Sequence, residues 1–479
     1  MSLRGSADWR LISARMNNNS APRHLVRILP VAAAVLLAFP PGAGAQAVYP
    51  PSQGANNSAD DSTSTINSYR NDADGGAPLI LLTNNGWNIN VSGITGTLSL
   101  NGLPVANPSA DGVVNYISQG STASSPSSIA GQSSAGTVTV NDSAEIIATG
   151  VSGSSAGPGG IIAASQGAIG YQTNGLSQGS YNTEAFVGTW SSDVTVNLQD
   201  SGSIQVTGTG AGSNVALRTP TLTGINASSI GGAGSSGAYS LSGINNGVQV
   251  YYDNGGGGNA VQVTTQSGTS IELTQTGAGS NAVGISAVAQ GGAAGQYQYL
   301  GTEEPTFAEV GGGGVAGQVN IIHGGRMLIN ADQGIGILAE SIGGAGSSSE
   351  LPMKNADGGH PANGADVTVE QQGSGSISLP QGGIGILALS EAGNWIPGSS
   401  TYSPSGGQVN VTVDTGASIS TGTAAGGSAN PFSFGILAVS SGNPLVTGKD
   451  FGDLAGSGIA GNISVANNGT ITTYGDLAI

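Results

Sequence analysis

The chain has 479 residues, 84 of them glycine, and only 8% of its residues are charged, against about a quarter in ordinary globular domains. Ten Lys and Arg against 27 Asp and Glu give a net charge of −17, too few cations to neutralise a row of phosphates, which excludes nucleic-acid binding. The absence of cysteine excludes disulfides, thiolate metal sites and cysteine nucleophiles.

At the N-terminus, Arg4, Arg10, Arg15, Arg23 and Arg27 precede an apolar run from Ile28 to Phe39. Pro40, Pro41 and Gly42 break that run, and Ala43-Gly44-Ala45 follows. This is the plan of a secretory signal peptide with a long basic segment, cleaved after residue 45. Its apolar run is too short for a stable bilayer anchor. Residues 46–136 lack the repeat described next, contain Trp87 and are expected to form an N-terminal cap.

From residue 137 onwards one pattern recurs. Val-x-Val begins at 138, 194, 261, 319, 367 and 409, with Ile463-Ser-Val465 as the last copy. Each is followed by a short segment of the type Ser203-Ile204, Ser270-Ile271, Ser376-Ile377 or Ser418-Ile419. A third segment reads Gly334-Ile-Gly-Ile-Leu-Ala339, Gly383-Ile-Gly-Ile-Leu-Ala388 or Gly435-Ile-Leu-Ala438, a third strand in which glycine is expected to let the backbone bend sharply. Period-two alternation points both valines to one face. One coil of three short strands cannot bury its own apolar face, whereas stacked coils can, at about 4.8 Å per coil. The prediction is an all-β, right-handed parallel β-helix over 137–479, with Gly/Ser-rich insertions mostly between the third strand and the next Val-x-Val. An antiparallel sandwich would not repeat the same strand order seven times.

The run Gly334–Gly346, Gly-Ile-Gly-Ile-Leu-Ala-Glu-Ser-Ile-Gly-Gly-Ala-Gly, resembles a repeat of large proteobacterial autotransporters. The resemblance covers roughly residues 138–479 and the extended signal peptide. It implies type V secretion through an outer-membrane translocator barrel, and residence at the cell surface, in the outer membrane or outside the cell. No barrel-like segment occurs here. Asp476-Leu-Ala-Ile479 aligns with Asp332-Gln-Gly-Ile335, so the chain ends mid-repeat. The expectation is a passenger truncated before its barrel, which would leave it periplasmic.

Chemical motifs are sparse. Gln199-Asp200-Ser201-Gly202-Ser203 is similar to the nucleophile motif of serine-protease autotransporters, but it fills the slot taken elsewhere by Gln372-Gly-Ser-Gly-Ser376, which reads as a turn. Gly153-Ser-Ser-Ala-Gly157 lacks the strand and helix of a nucleophile elbow. Asp253-Asn-Gly-Gly-Gly-Gly258 lacks the tandem copies of calcium-binding repeats. Asp366 and Glu370 flank an outward strand face, and Glu303, Glu304 and Glu309 form an acidic loop, both read as solvated charge. His323 and His360 are too few for a histidine metal site. No catalytic, cofactor or metal residue is assigned. The expected function is a non-enzymatic surface passenger, a stalk presenting loops to host surfaces, polysaccharide or sister cells. The alternative is a carbohydrate-active β-helix, a lyase or hydrolase, for which Arg218 or Arg326 would have to sit beside carboxylates.

Overall fold

Alternation fixes the first strand of each coil, because only one face of Val-x-Val is apolar. The computed structural model describes residues 58–62, 80–85, 88–94, 97–101, 112–124, 132–152, 159–171, 187–209, 222–235, 237–239, 249–251, 254–277, 280–295, 297–299, 307–309, 311–346, 360–393, 403–423, 432–442, 458–474 and 477–478. Residues 1–45, read from the sequence as a signal peptide, lie outside them. Among the described residues the chain winds as a parallel β-helix whose three main sheets have nine, eight and nine strands. The first sheet runs from Ser58–Ser62 and Asn88–Ile94 through the Val-x-Val strands to Ile463–Asn467. The second runs from Thr97–Asn101 to Thr470–Thr473, and the third from Ile80–Asn85 to Leu477–Ala478.

Register shows why these residues form these strands. Ile89, Val138, Val194, Val261, Val319, Val367, Val409 and Ile463 lie directly over one another in the first sheet. Leu98, Ile146, Ile204, Ile271, Met327, Ile377, Ile419 and Ile471 do so in the second. Val114, Ile161, Ile225, Ile285, Ile337, Ile386 and Ile436 complete the third column. From Val138 to Ile419 these column residues are at most 1% exposed. Full burial of each Val or Ile is worth about 1.5–3 kcal/mol. Only the last Val-x-Val copy is open, with Ile463 and Val465 each 49% exposed.

Two expectations need adjustment. Segments between 58 and 119, assigned to a cap, join all three sheets: Ile89 and Val91 pair with Val138 and Val140, and Leu98 pairs with Ile146. The glycine of Gly-Ile-x-Ala, expected to serve a sharp bend, has a different role. A Cβ on Gly336 would lie 2.6 Å from Cγ2 of Ile377, in the second sheet of the next coil. Gly224 stands in the same way against Ile271, and Gly160, Gly385 and Gly435 against Ile204, Ile419 and Ile471. The glycine makes room for an isoleucine of the next coil and, at Gly160, Gly224, Gly336 and Gly385, for the carbonyl of the facing glycine as well.

The third sheet is buried on both faces in its middle coils, and every residue of Gly383–Glu391 is buried. Its outer side carries a second apolar cluster of Val283, Ile335, Leu338, Ile384, Leu387 and Leu389. The end of the chain also keeps register. Ala478 pairs with Ser433, which pairs with Gly383, which pairs with Gly334, the alignment read from the sequence.

Candidate functional site: the loop-bearing edge

The long connections leave the rod after the third sheet, so the roots of these loops decide what the edge presents. Two devices build them. The first is a serine ladder on the third sheet, through Ser118, Ser165, Ser229, Ala289, Ser341, Ser390 and Ser440. Ser390 Oγ donates to the carbonyl of Ala365, 2.7 Å, in the segment leading into its own coil. It accepts from the Gly407 N–H, 2.7 Å, in the segment leading into the next. Ser165 bridges Gly136 and Ser192 in the same way, Ser341 bridges Gly317 and Ala365, and Ser440 bridges Gly407 and Gly461. Each hydroxyl ties the end of one turn of the rod to the start of that turn and to the start of the next.

The second device is a glycine lattice in which outgoing and returning segments alternate. Thr189 N–H donates to Ala168 O, Gly232 N–H to Thr189 O, Gly256 N–H to Gly232 O and Gly292 N–H to Gly256 O. The chain of bonds continues through Gly314, Gly344 and Ala362 to Gly393. Backbones approach so closely that a methyl on Gly232, Gly256, Gly292, Gly314 or Gly344 would overlap a neighbouring carbonyl. No side chain larger than hydrogen fits, which accounts for many of the 84 glycines. Beyond the lattice, loops of successive coils pair with one another. Gly237–Tyr239 pairs in parallel with Tyr297–Tyr299, and Gln249–Tyr251 with Phe307–Glu309.

The candidate motifs fall apart spatially. Gln199–Gly202 is a tight turn: Gly202 N–H donates to Gln199 O at 2.9 Å, and Asp200 takes φ +54°. Positive φ recurs in the corresponding turns at Gly268 (+92°), Gly373 (+47°) and Gly416 (+90°). Asp366 Oδ1 accepts from the Gln408 N–H and Glu370 Oε1 from the Gln372 amide, each 2.8 Å. Asn254–Gly258 belongs to the lattice; Glu309 pairs with Tyr251. Arg326 is exposed, registered between Ser270 and Ser376. Asp253, Glu303, Glu304, Arg218, Trp87 and Gly153–Gly157 lie outside the described residues. Among the described residues no three His, Asp or Glu come together to hold a metal.

Asp142 and His323 lie inside the rod, on one inward column through Asp142, Leu198, Thr265, His323, Gln371 and Val413. Burial pushes the Asp142 carboxyl up to about 7, against the lowering effect of the Ala144 N–H, which donates to Oδ1 at 2.7 Å. Burial lowers His323 to about 4, opposed by the Ser376 backbone. His323 Nδ1 lies 2.6 Å from Thr265 Oγ1, while Nε2 is buried without a geometric hydrogen bond. A neutral ring that accepts from the Thr265 hydroxyl at Nδ1 and carries its proton on Nε2 fits the lowered pKa. Both groups are sealed from solvent, so neither is placed to act on a substrate.

His360 is exposed on a returning segment. Sequence reasoning missed the serine ladder, although Ala-x-Ser recurs at Ala339-Glu-Ser341, Ala388-Leu-Ser390 and Ala438-Val-Ser440. No protein-family description, no curated protein and no solved structure matches this chain.

Proposed function

We propose that this chain is an exported, non-enzymatic surface protein, the β-helical passenger of a type V secretion system, whose rod carries interaction loops. The observation that carries the reading is the loop-bearing edge. A parallel β-helix spends its sequence on a rigid column, while long connections gather on one edge, are rooted by the glycine lattice and pair across coils. A rigid scaffold with variable loops suits recognition. The basic, apolar and Ala-Gly-Ala segments of residues 1–45 support export, and the Gly334–Gly346 repeat supports the autotransporter likeness. The partners proposed are an outer-membrane translocator barrel and, for the loops, host surfaces, polysaccharide or sister cells.

The test is expression of the full chain in a Gram-negative host, alone and fused to a translocator barrel. The reading expects a mature N-terminus at Gln46, a periplasmic product for the unfused chain, and protease-accessible passenger on cells carrying the fusion. A full-length cytoplasmic product in both cases would contradict it. Release of new saccharide ends from polysaccharides by the purified chain would favour the carbohydrate-active alternative.

A further inference from the structure

We infer that the exposed indole of Trp190 is a stacking platform for a pyranose ring of a neutral glycan. Trp190 lies on a returning segment, four residues before Val194, and is 51% exposed. A lone exposed aromatic is ordinary on a protein surface. Trp190 differs because a seat is built for it. A Cβ on Gly257, at the equivalent position of the next coil, would come within 2.9 Å or less of three consecutive benzo-ring carbons, Cε3, Cζ3 and Cη2. Near-equal approach to three ring atoms places Gly257 under the face of the ring, not at its edge. The indole therefore lies flat on the rod, one face on a buried glycine and the other to solvent.

The seat is held on both sides. Trp190 O accepts from the Ala135 N–H at 3.0 Å, and the next residue, Ser191, donates its N–H to Gly257 O at 3.1 Å. The Ser191 hydroxyl is buried and reaches both Gly257 O, 3.2 Å, and Ser229 Oγ, 2.9 Å. Such bracing fixes the backbone that carries the indole, and with Gly257 under one face of the ring the ordering cost left to binding is reduced.

The surroundings select the ligand. On the same column, Val315 is 50% exposed two coils on from Trp190, and Asn363 is exposed one coil further. Beside it, the outer face of the first sheet repeats amides and hydroxyls once per coil: Thr195, Gln262, Asn320 and Thr368. A flat apolar face bordered by rows of neutral hydrogen-bonding groups fits the C–H face and hydroxyl rim of a sugar. Exposed Asp193 and a net charge of −17 disfavour a polyanionic glycan, which makes the occupant neutral.

The inference rests on the surface-protein reading only for where glycan would be met; binding is measured on the purified full chain, so failure to export and failure to bind are separate results. The chain is tested against a panel of immobilised neutral and acidic glycans, with affinities then measured in solution for the best neutral binder. Trp190→Ala is expected to weaken that affinity by about tenfold or more, as for an aromatic anchor. Trp190→Phe, which keeps an aromatic face, stays within about threefold of the parent, and both variants keep the parent's circular dichroism and melting temperature. Absence of binding to every neutral glycan, unchanged affinity in Trp190→Ala, or preference for acidic glycans would overturn the inference. So would self-association of the parent that Trp190→Ala abolishes, since the platform would then serve a second copy of this chain.

Discussion

Single side chains in this rod act through what lies one coil away. Ser390 serves two backbone groups of different coils at 2.7 Å each. Replacing it by alanine strands the Ala365 carbonyl and the Gly407 N–H, and is expected to cost about 1–3 kcal/mol in chemical denaturation. A cost near zero would show that water replaces the hydroxyl. Asp142 and His323 give a sharper prediction. Asp142 has a raised pKa, about 7 in the folded chain against 3.8 unfolded, so its contribution is complete below pH 3.8 and lost as pH rises through 7. His323 has a lowered pKa, about 4 against 6.5, so its contribution is complete above pH 6.5 and lost as pH falls through 4. Between about pH 4 and 6.5 the two slopes oppose each other. Denaturation across that window should show Asp142→Asn gaining stability with rising pH relative to the parent, and His323→Gln losing it. Parallel pH profiles for all three proteins would show that neither group titrates as its burial requires.

Strands are specified by columns, and columns are partly legible in a sequence. Val-x-Val could be read because alternation is local and each inward valine repeats from coil to coil. The coil at Asn88–Gln119 escaped because its third strand, Gly112-Val-Val-Asn-Tyr116, lacks the Gly-Ile-Leu-Ala pattern, although Ile89 and Val91 fill the inward positions. The glycine of Gly-Ile-x-Ala was legible as a position but not as a cause, since its contact, Ile377 for Gly336, belongs to another strand of another coil. That contact predicts that Gly336→Ala destabilises by about 1–3 kcal/mol through overpacking. Removing the opposing γ-methyl, Ile377→Ala, should recover part of the loss, so the double mutant costs less than the sum of the singles. Strict additivity would place the defect of Gly336→Ala against the Gly385 carbonyl, the other group a Cβ there would meet. The glycine lattice was illegible for the same reason at greater range, because outgoing and returning segments meet only after the rod has wound. Trp190 was passed over because its seat, Gly257, is in the next coil.

At the scale of the molecule, three sheets share one apolar core, and length grows by one coil at a time. Rigidity along the axis and variability at the edge are then separate properties, set by different residues. Coil substitutions should change stability while loop substitutions change recognition. The stacking itself is the claim on which the rest depends, and the absence of cysteine makes it directly measurable. Spin labels on introduced cysteines at Thr139, Thr195, Asn410 and Ser464, outward positions of the first-sheet column, sample coils that are near and far in the stack. Pulsed dipolar spectroscopy should give separations that grow linearly, by about 4.8 Å for each coil between the labels, so that Thr195 and Asn410, four coils apart, lie about 19 Å from each other. Separations that do not follow coil number would contradict the β-helix and everything built on it.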